Sequence, residues 1–336
     1  LVGWLAIAEV RGRREQFAAD SQSIRGYYLP LRRMGATARA MLVQAAANRW
    51  QIAPASCATA AGFVIHEPTN RRLAYGDLAI EAALLAPPAE PQLKPTEAFQ
   101  LIGKGVGRRD CAEIVSGELR FGIDVRVPGM RFAAIRHVPV FGATIRSFTG
   151  PELATGVEAI FVLDQIALVA VASNTWLAEQ TLKACEWELE SAVAPLVSDE
   201  QVRDQLRRAL SAAGVVGAKG EPAAQEAEDE DRQWSVSRDY QVPLLAHASL
   251  EPPSCTALWS GGTMRIWAPV QGPARAKAAV AAALELPQED IELSQVPMGG
   301  SFGRKADSDF VIEAAKIARR VGGAIQLTWS LSLIHI

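Results

Sequence analysis

A short glycine-rich segment between a predicted strand and a predicted helix constrains this sequence more than any other feature. Residues 297–306 read Pro-Met-Gly-Gly-Ser-Phe-Gly-Arg-Lys-Ala. Apolar residues follow a strand pattern through 290–296 and recur at helical spacing through 308–321. Glycines let the backbone approach a ligand closely, and the free N–H groups of the first helical turn attract anions. We therefore predict a ligand-binding loop, with Asp307 or Ser308 capping the helix.

The two commonest phosphate-binding motifs are absent from this segment. A Walker A loop requires Gly-x-x-x-x-Gly-Lys-[Ser/Thr], but Arg304 and Lys305 stand five residues after Gly299 and Gly300. The dinucleotide pattern Gly-x-Gly-x-x-Gly is missing as well. A second glycine cluster at 103–107 matches neither pattern and predicts an ordinary turn. The usual interpretations of such a loop, as an ATP-binding or an NAD-binding motif, therefore fail.

Composition and charge exclude several classes of function. The 336 residues allow two or three domains with separate cores. A formal net charge of -3 gives no electrostatic case for binding nucleic acid or a membrane surface. No apolar run is long enough to span a bilayer. The localisation, cytoplasmic or periplasmic, stays open.

The spacing of the four cysteines argues against a zinc site or an iron–sulfur cluster held by this chain alone. None of them forms a Cys-x-x-Cys pair, which zinc sites and iron–sulfur clusters commonly use. Free cysteine is among the most buried residue types. We therefore expect four buried thiols, at Cys57, Cys111, Cys185 and Cys255.

Hydrophobic periodicity predicts an α+β chain. The first part contains a helix at 30–50 with Pro30 in its first turn, a hairpin at 62–73 and a helix at 75–85. A proline-rich linker follows at 87–95. The middle part has strands at 122–129, 131–137, 157–163 and 166–172 and a helix at 175–188. After a helix near 198 and an acidic run at 226–231, we predict strands at 234–242, 256–259 and 264–267 and a helix at 273–284.

Three further segments carry candidate ligand contacts, each with a structural alternative. Ser21 and Ser23 precede a helix, where their hydroxyls suit an anion or a helix cap equally well. His247 and Glu251 stand four residues apart beside a proline, and an unaccompanied histidine is more often structural. Gln271 ends a predicted strand, where an amide side chain more often serves a turn than a ligand.

Taken together, these segments resemble the molybdopterin-binding large subunits of the molybdenum hydroxylase (xanthine dehydrogenase/aldehyde oxidase) family. Residues 299–304, Gly-Gly-Ser-Phe-Gly-Arg, resemble the Gly-Gly-Gly-Phe-Gly-Arg loop of that family. The isoquinoline 1-oxidoreductase β-subunit type is the most similar branch. Its motifs have the same order here, with Ser-x-Ser-x-Arg at 21–25, hammerhead-like motifs within 101–130, His-x-x-x-Glu-Pro at 247–252 and Trp-Ala-Pro-x-Gln at 267–271.

The resemblance implies a hammerhead-type α/β domain flanked by pieces of a molybdopterin-binding α+β domain. Residues 21–90 would form an N-terminal piece of the cofactor-binding domain and 98–196 the hammerhead-like domain. Residues 232–330 would form an incomplete first molybdopterin-binding domain. We expect 1–20 and 331–336 not to be native-like sequence.

The resemblance also implies the cofactor and the residues that contact it. The cofactor would be molybdopterin with molybdenum, usually as the cytosine dinucleotide, with Phe302 near the metal and no protein side chain as metal ligand. [2Fe-2S] clusters would belong to a small partner subunit only. The implied cofactor-binding residues are Gly299, Gly300, Ser301, Phe302, Gly303, Arg304, Gln271, Ser21, Gln22, Ser23, His247 and Glu251.

The implied reaction is hydroxylation of an N-heterocycle or aldehyde with water as oxygen source. The family's base is a glutamate in its C-terminal part, which we expect beyond residue 336, so no catalytic residue is assigned. We expect residues 1–336 alone to hold the cofactor weakly and to be inactive. Ser301 departs from the family's third glycine, and Val270 from its threonine. A non-catalytic nucleotide- or phosphate-binding module and a structural subunit are the alternatives.

Overall fold

The computed structural model describes residues 16–19, 21–140, 142–190, 198–210, 212, 238–243 and 245–330. The predicted acidic run, the first part of the predicted strand at 234–242 and both chain ends lie outside these residues. The chain divides into two compact units. One comprises Leu1–Val127 and Cys255–Gly323, and the other Pro128–Ser254 and Ala324–Ile336. The predicted division at 90, 98, 196 and 232 stays a prediction.

The N-terminal part of the first unit is a long helix packed on a small antiparallel sheet. Its elements are α1 (Gln22–Trp50), β1 (Ala58–Ala60), β2 (Phe63–His66), β3 (Arg71–Ala74) and α2 (Tyr75–Ala83). Strand β2 pairs with both neighbours in antiparallel register. The core between helices and sheet contains Ala45, Ala46, Val64, Leu78 and Ala82.

Helix α1 begins earlier than predicted. Pro30 was expected in the first turn, but it lies inside the helix, which starts at Gln22. The φ angle of proline is helical, so the helix passes through Pro30 and loses only one backbone hydrogen bond there. Of the two candidate serines, Ser23 consequently lies in the first turn of the helix and Ser21 directly precedes it.

The predicted linker runs without helix or strand through 87–95. Two α1 arginines hold it, because Arg32 donates to the Lys94 carbonyl (2.6 Å) and Arg39 to the Gln92 carbonyl (2.7 Å). The short helix α3 (Cys111–Ser116) follows.

The predicted strand at 122–129 is wrong, since residues Gly122–Asp124 form a turn of 3₁₀ helix. The Asp124 carboxylate accepts a hydrogen bond from the Phe121 N–H (3.0 Å). Such a local side-chain bond competes with strand pairing.

The second unit is built around the buried strand β7. Its elements are β4 (Arg131–His137), β5 (Thr144–Thr149), β6 (Val157–Leu163), β7 (Ala167–Ala172), α4 (Thr175–Lys183), β8 (Glu186–Glu190) and α5 (Asp199–Leu210). Strands β4 and β6 flank β7, both antiparallel, while β5 pairs with β8. The core contains Ala134, Ile145, Leu168, Ala170, Ala172, Ala178, Leu182 and Cys185.

Helix α4 is shorter than the predicted helix at 175–188. Asn174 caps its start by accepting from the Leu177 N–H (2.8 Å), and the helix ends at Lys183. Residues 186–190 alternate Glu-Trp-Glu-Leu-Glu, so Trp187 and Leu189 share one face when this segment is extended. Pairing with β5 therefore outweighs helix continuation.

The C-terminal part of the first unit positions the glycine-rich loop. Its elements are β9 (Ser254–Ser260), β10 (Thr263–Ala268), α6 (Pro273–Leu284), β11 (Ile291–Gln295) and α7 (Asp309–Val321). Strand β10 lies between β9, antiparallel, and β11, parallel. Helices α6 and α7 pack against each other through buried apolar side chains. These elements confirm the predicted strands and helices at 256–259, 264–267, 273–284, 290–296 and 308–321.

The final strand β12 (Gly323–Thr328) follows α7 and pairs with β4 in parallel register. The observed mixture of helix and sheet confirms the α+β prediction at this level. No helix in the described part of the chain combines the length and apolar character that crossing a bilayer requires.

The prediction of four buried thiols is wrong for two of them. Cys185 and Cys255 are buried, Cys57 is half-buried and Cys111 is exposed. Cys111 begins α3, a helix without a buried residue, so no core covers its thiol. Burial raises the pKa of the Cys185 and Cys255 thiols above the usual range.

Candidate functional site

The loop between β11 and α7 has a backbone that few residue types adopt easily. Gly300 (φ 94°), Phe302 (φ 54°) and Gly303 (φ 99°) all have left-handed backbone angles. Glycine tolerates this region, whereas a bulky side chain there costs about 1–2 kcal/mol. The Phe302 side chain is nevertheless 76% exposed. A strained residue that gains little burial indicates a functional constraint on this loop.

A polar cluster connects this loop to Gln271, which follows β10. The Ser301 hydroxyl donates to Gln271 Oε1 (2.5 Å) and accepts from the Lys305 N–H (2.8 Å). The Gln271 N–H in turn donates to the Lys305 carbonyl (2.9 Å). All three residues are buried, and Lys305 completely so. The loop and Gln271 therefore form one hydrogen-bonded unit.

Residues 16–19 lie against the same cluster, although they fall in the segment expected not to be native-like. The Ala18 N–H donates to the Gln271 carbonyl (3.0 Å), and Gln271 Nε2 donates to the Ala18 carbonyl (2.5 Å). Phe17 covers Gly272, where an added Cβ would meet the Phe17 ring at 2.8 Å. The Arg275 guanidinium lies 4.4 Å from the centre of the Phe17 ring. Sequence reasoning missed these contacts, and no motif marked them.

Two cavities meet at Ala18 and Gln271. The larger has a volume of about 290 Å³, and its walls are Ala18, Gln271, Met298, Gly300, Ser301, Phe302 and Gly303. The smaller has a volume of about 160 Å³, and its walls are Gln16, Phe17, Ala18, Ser23, Tyr27, Gln271, Pro273 and Gln295. The structure thus brings Ser23, Gln271 and the glycine loop to adjoining cavities.

Not every predicted loop residue lines a cavity wall. Gly299 and Arg304 are absent from the described walls of both cavities. The Arg304 guanidinium forms a bidentate pair with the Asp309 carboxylate (3.1 and 2.7 Å), at the start of α7. Its side chain is 14% exposed, so the pair holds Arg304 along the helix start.

The predicted capping roles of serine and aspartate differ from those observed. Ser21 precedes α1 with a left-handed backbone (φ 53°), and its side chain makes no capping bond to the described residues. Ser308 likewise occupies the capping position of α7 without a side-chain bond to that helix. Asp309 accepts from the Phe310 N–H instead (2.9 Å). Gln22 is the first residue of α1, and its side chain lies outside the described residues.

His247 and Glu251 belong to the second unit. His247 is exposed, whereas Glu251 is buried, with its carbonyl accepting from the Ser249 hydroxyl (2.8 Å). Their approach to the glycine loop stays a prediction. Among the described residues, no group of three His, Cys, Asp or Glu side chains is arranged to hold a metal ion.

The cavity walls offer neutral hydrogen-bonding groups. The side chains lining the two described cavities include amides, two serine hydroxyls and a tyrosine hydroxyl, but no charged group. Such walls suit a flat polar heterocycle or a phosphate that is bound through dipoles rather than through side-chain cations. They also suit a cofactor that brings its own metal ligands. The residues present therefore fit molybdopterin.

A comparison with protein families identifies one domain. Residues 210–332 match the family model described as the molybdopterin cofactor-binding domain. The matched region contains both Gln271 and the glycine loop.

Two similar proteins are parts of oxidoreductases. The beta chain of isoquinoline 1-oxidoreductase from Brevundimonas diminuta is 28% identical, over 94% of this chain and 46% of the relative. One of the nicotinate dehydrogenase subunits of Pseudomonas putida is 26% identical, over 92% of this chain and 26% of the relative. The chain therefore spans less than half the length of these relatives.

A solved structure has a similar fold. The crystal structure of quinoline 2-oxidoreductase from Pseudomonas putida 86 superimposes with a TM-score of 0.52 at 20% identity. The superposition covers 68% of this chain and 34% of that chain.

Proposed function

Because residues 210–332 match the molybdopterin cofactor-binding domain, we propose that the chain belongs to the molybdenum hydroxylase family and forms part of the catalytic subunit of a hydroxylase. Its substrate would be an N-heterocycle or an aldehyde, with water as oxygen source. One observation carries the proposal. The molybdopterin-domain match at 210–332 contains Gln271 and the glycine loop, which are joined by the Ser301 hydroxyl. The names of the relatives support the substrate class.

We propose that the larger cavity takes the pterin and the metal end of the cofactor. Gly300, Ser301, Phe302 and Gly303 would provide backbone contacts and Gln271 an amide contact. Gly299 and Arg304 would contribute by holding the loop. The position of these residues around one cavity, apart from Gly299 and Arg304, supports this assignment.

The smaller cavity would take the far end of the cofactor. Ser21, Gln22 and Ser23 at the start of α1 would meet its phosphate or a cytosine nucleotide. The Ser23 position in the cavity wall, next to the free N–H groups of the first helical turn, supports this. His247 and Glu251 are proposed as further cofactor contacts, as the resemblance implies.

The residues of this chain would bind, orient and shield rather than transfer protons. When bound, molybdopterin with molybdenum supplies the redox chemistry of the hydroxylation. Gln271 would hold an acceptor atom of the ligand through its N–H, and the exposed Phe302 ring would limit access of water. We propose that the base glutamate lies outside residues 1–336.

The proposal also includes an electron-accepting partner subunit and a second type of domain. Electrons would leave to a small subunit that carries [2Fe-2S] clusters. Residues 98–196 would form the hammerhead-type domain, for which the mixture of β4–β8 with α4 is suitable.

Metal and pterin analysis tests the proposed cofactor. The complete protein should be produced in a host that supplies molybdopterin, together with its partner subunit, and analysed for molybdenum and released nucleotide. We expect molybdenum near one atom per chain and release of cytidine monophosphate, with much less of both for residues 1–336 alone. A Gly303→Val variant should lose the cofactor, whereas Gly105→Ala, in the exposed turn, should keep it.

Other outcomes would select the alternatives. A bound phosphate ligand without molybdenum would support a nucleotide-binding module, and the absence of both would support a structural subunit. Turnover of N-heterocycles and aldehydes in ¹⁸O-labelled water should give products that carry the label. Unlabelled product would overturn the proposed reaction.

A further inference from the structure

The side-chain amide of Gln271 has a hydrogen-bond partner at each end. Its Oε1 accepts from the Ser301 hydroxyl (2.5 Å), and its Nε2 donates to the Ala18 carbonyl (2.5 Å). The residue is 8% exposed, so water satisfies little of this amide. A primary amide has two N–H donors. One of them therefore remains for another ligand.

The Ser301 hydroxyl is itself fixed by the start of the following helix. It accepts from the Lys305 backbone N–H (2.8 Å), a group that can only donate. The hydroxyl hydrogen must therefore point to a different atom, and Gln271 Oε1 is an acceptor at 2.5 Å. The direction of the serine–glutamine bond follows from the backbone.

The opposite amide orientation would be unfavourable at both ends. After a half-turn of the amide, Gln271 Oε1 would face the Ala18 carbonyl oxygen at about the present 2.5 Å, with no hydrogen between two acceptors. The Ser301 hydrogen would simultaneously lose its acceptor. Amide orientation is assigned from such networks, and here both partners require the same one.

From this geometry we infer that Ser301 is a positioning residue for Gln271. Ser301 holds Gln271 so that its amide offers the remaining N–H donor at the cavities that Gln271 lines, before any ligand binds. The ligand atom that it recognises is consequently an acceptor, such as an oxygen. That this acceptor belongs to the bound cofactor rests on the proposed function, whereas the orientation does not.

The arrangement depends on the hydroxyl at position 301. The related loop motif has glycine there, which lacks a hydroxyl and would leave Oε1 without this donor. The hydroxyl thus supplies from within the protein a contact that glycine leaves to water or ligand. Preorganisation of this kind lowers the cost of ordering the site during binding.

The test measures hydrogen exchange of the Gln271 side-chain amide by NMR in the 336-residue chain labelled with ¹⁵N-glutamine. Loss of one signal in Gln271→Asn assigns the resonance. We expect exchange at least about tenfold faster in Ser301→Ala, because an unpartnered amide rotates and opens more freely. Ser301→Thr keeps the hydroxyl and should stay within about twofold of the original rate.

Ser254→Ala is the matched control. The Ser254 hydroxyl is fully buried and has no hydrogen-bond partner among the described residues. Its removal should leave the Gln271 exchange rate unchanged. Equal rates in the original chain and Ser301→Ala would overturn the inference, as would failure of Ser301→Thr to restore slow exchange.

A second variant tests the other end of the amide and guards against misfolding of Ser301→Ala. Gln271→Glu places a carboxylate oxygen against the Ala18 carbonyl, so the backbone N–H of Ala18 should exchange faster. Unchanged protection of Ala18 would contradict the inferred donor orientation. The two tests are separable. If Gln271 exchanges slowly but the complete protein contains no molybdenum, the proposed function is refuted and this inference stands.

Discussion

The two glycine-rich loops of the first unit have similar sequences and different structures. Residues 103–107 and 299–303 each hold three glycines in five residues. In the first loop the glycines are exposed, and an added Cβ at any of them would meet no atom of the described residues within 4 Å. In the second, Ser301 is buried and bonded to Gln271. Glycines therefore permit another group to approach the loop backbone closely. The candidate site forms only where a second segment, here Gln271, bonds to the loop.

The helices that follow the loops differ in the same sense. Helix α3 after the first loop has no buried residue. Helix α7 after the second buries Phe310, Val311, Ala314, Ala315, Ile317 and Ala318. A loop retains a defined backbone when the segment that continues it is anchored in a core.

The largest expected difference between the loops concerns this anchor. Phe310→Ala should destabilise the first unit by about 3–5 kcal/mol, because it removes a fully buried aromatic side chain and leaves a cavity. Val106→Ala, at a side chain that is 69% exposed, should change the unfolding free energy by less than about 0.5 kcal/mol. Urea unfolding followed by tryptophan fluorescence measures both. Similar values would show that α7 does not anchor the loop.

A smaller difference is expected for the glycines themselves. Gly300→Ala should cost about 1–2 kcal/mol, since φ at Gly300 is 94° and a Cβ disfavours the left-handed region. Gly105 has neither a left-handed backbone nor a close neighbour among the described residues. Gly105→Ala should thus be neutral or stabilise by up to about 1 kcal/mol. Thermal unfolding of the two variants checks this, and an equal loss in both would refute the distinction.

The smallest effect concerns the arginine–aspartate pair after the first loop. The Arg108 guanidinium donates to both carboxylate oxygens of Asp110 (2.8 and 2.6 Å), and these hydrogen bonds lower the pKa of Asp110. A carboxyl whose pKa is lower in the folded than in the unfolded protein stabilises the fold at pH values above its unfolded pKa. That stabilisation is lost as the pH falls through the pKa of the folded protein. Arg108→Ala should move the pKa of Asp110 towards its ordinary value.

An NMR titration of the Asp110 carboxyl carbon measures that pKa. Arg304→Ala, in the corresponding pair of the second loop, is the matched variant and should leave Asp110 unchanged. If Arg108→Ala left the Asp110 pKa in place, the pair would have no electrostatic role.

Local patterns predicted the secondary structure well where one periodicity dominated. The segments at 290–296 and 308–321 match β11 and α7 because strand and helix each repeat one apolar face. Local reasoning failed at Asp124, whose carboxylate bonds its own neighbouring backbone, and at 184–188, where pairing with β5 ended the predicted helix.

The candidate site was predictable only in part. The glycine loop, Gln271 and Ser23 were recognisable because each carries a local motif or stands at an element boundary. Phe17 and Ala18 were missed, because Ala18 and Gln271 are 253 residues apart in the chain. Hydrophobic periodicity does not predict a contact between such distant residues. The completely buried Lys305 was likewise unremarkable in the sequence.

The sequence by itself determined the order of strand, glycine loop and helix, because glycine tolerance and hydrophobic periodicity are local properties. It also predicted a ligand-binding role for this loop. Only the tertiary structure decided which partner holds each end of the Gln271 amide. A hydrogen bond tolerates changes of only a few tenths of an ångström in its donor–acceptor distance. Packing between segments that are remote in the chain sets this distance.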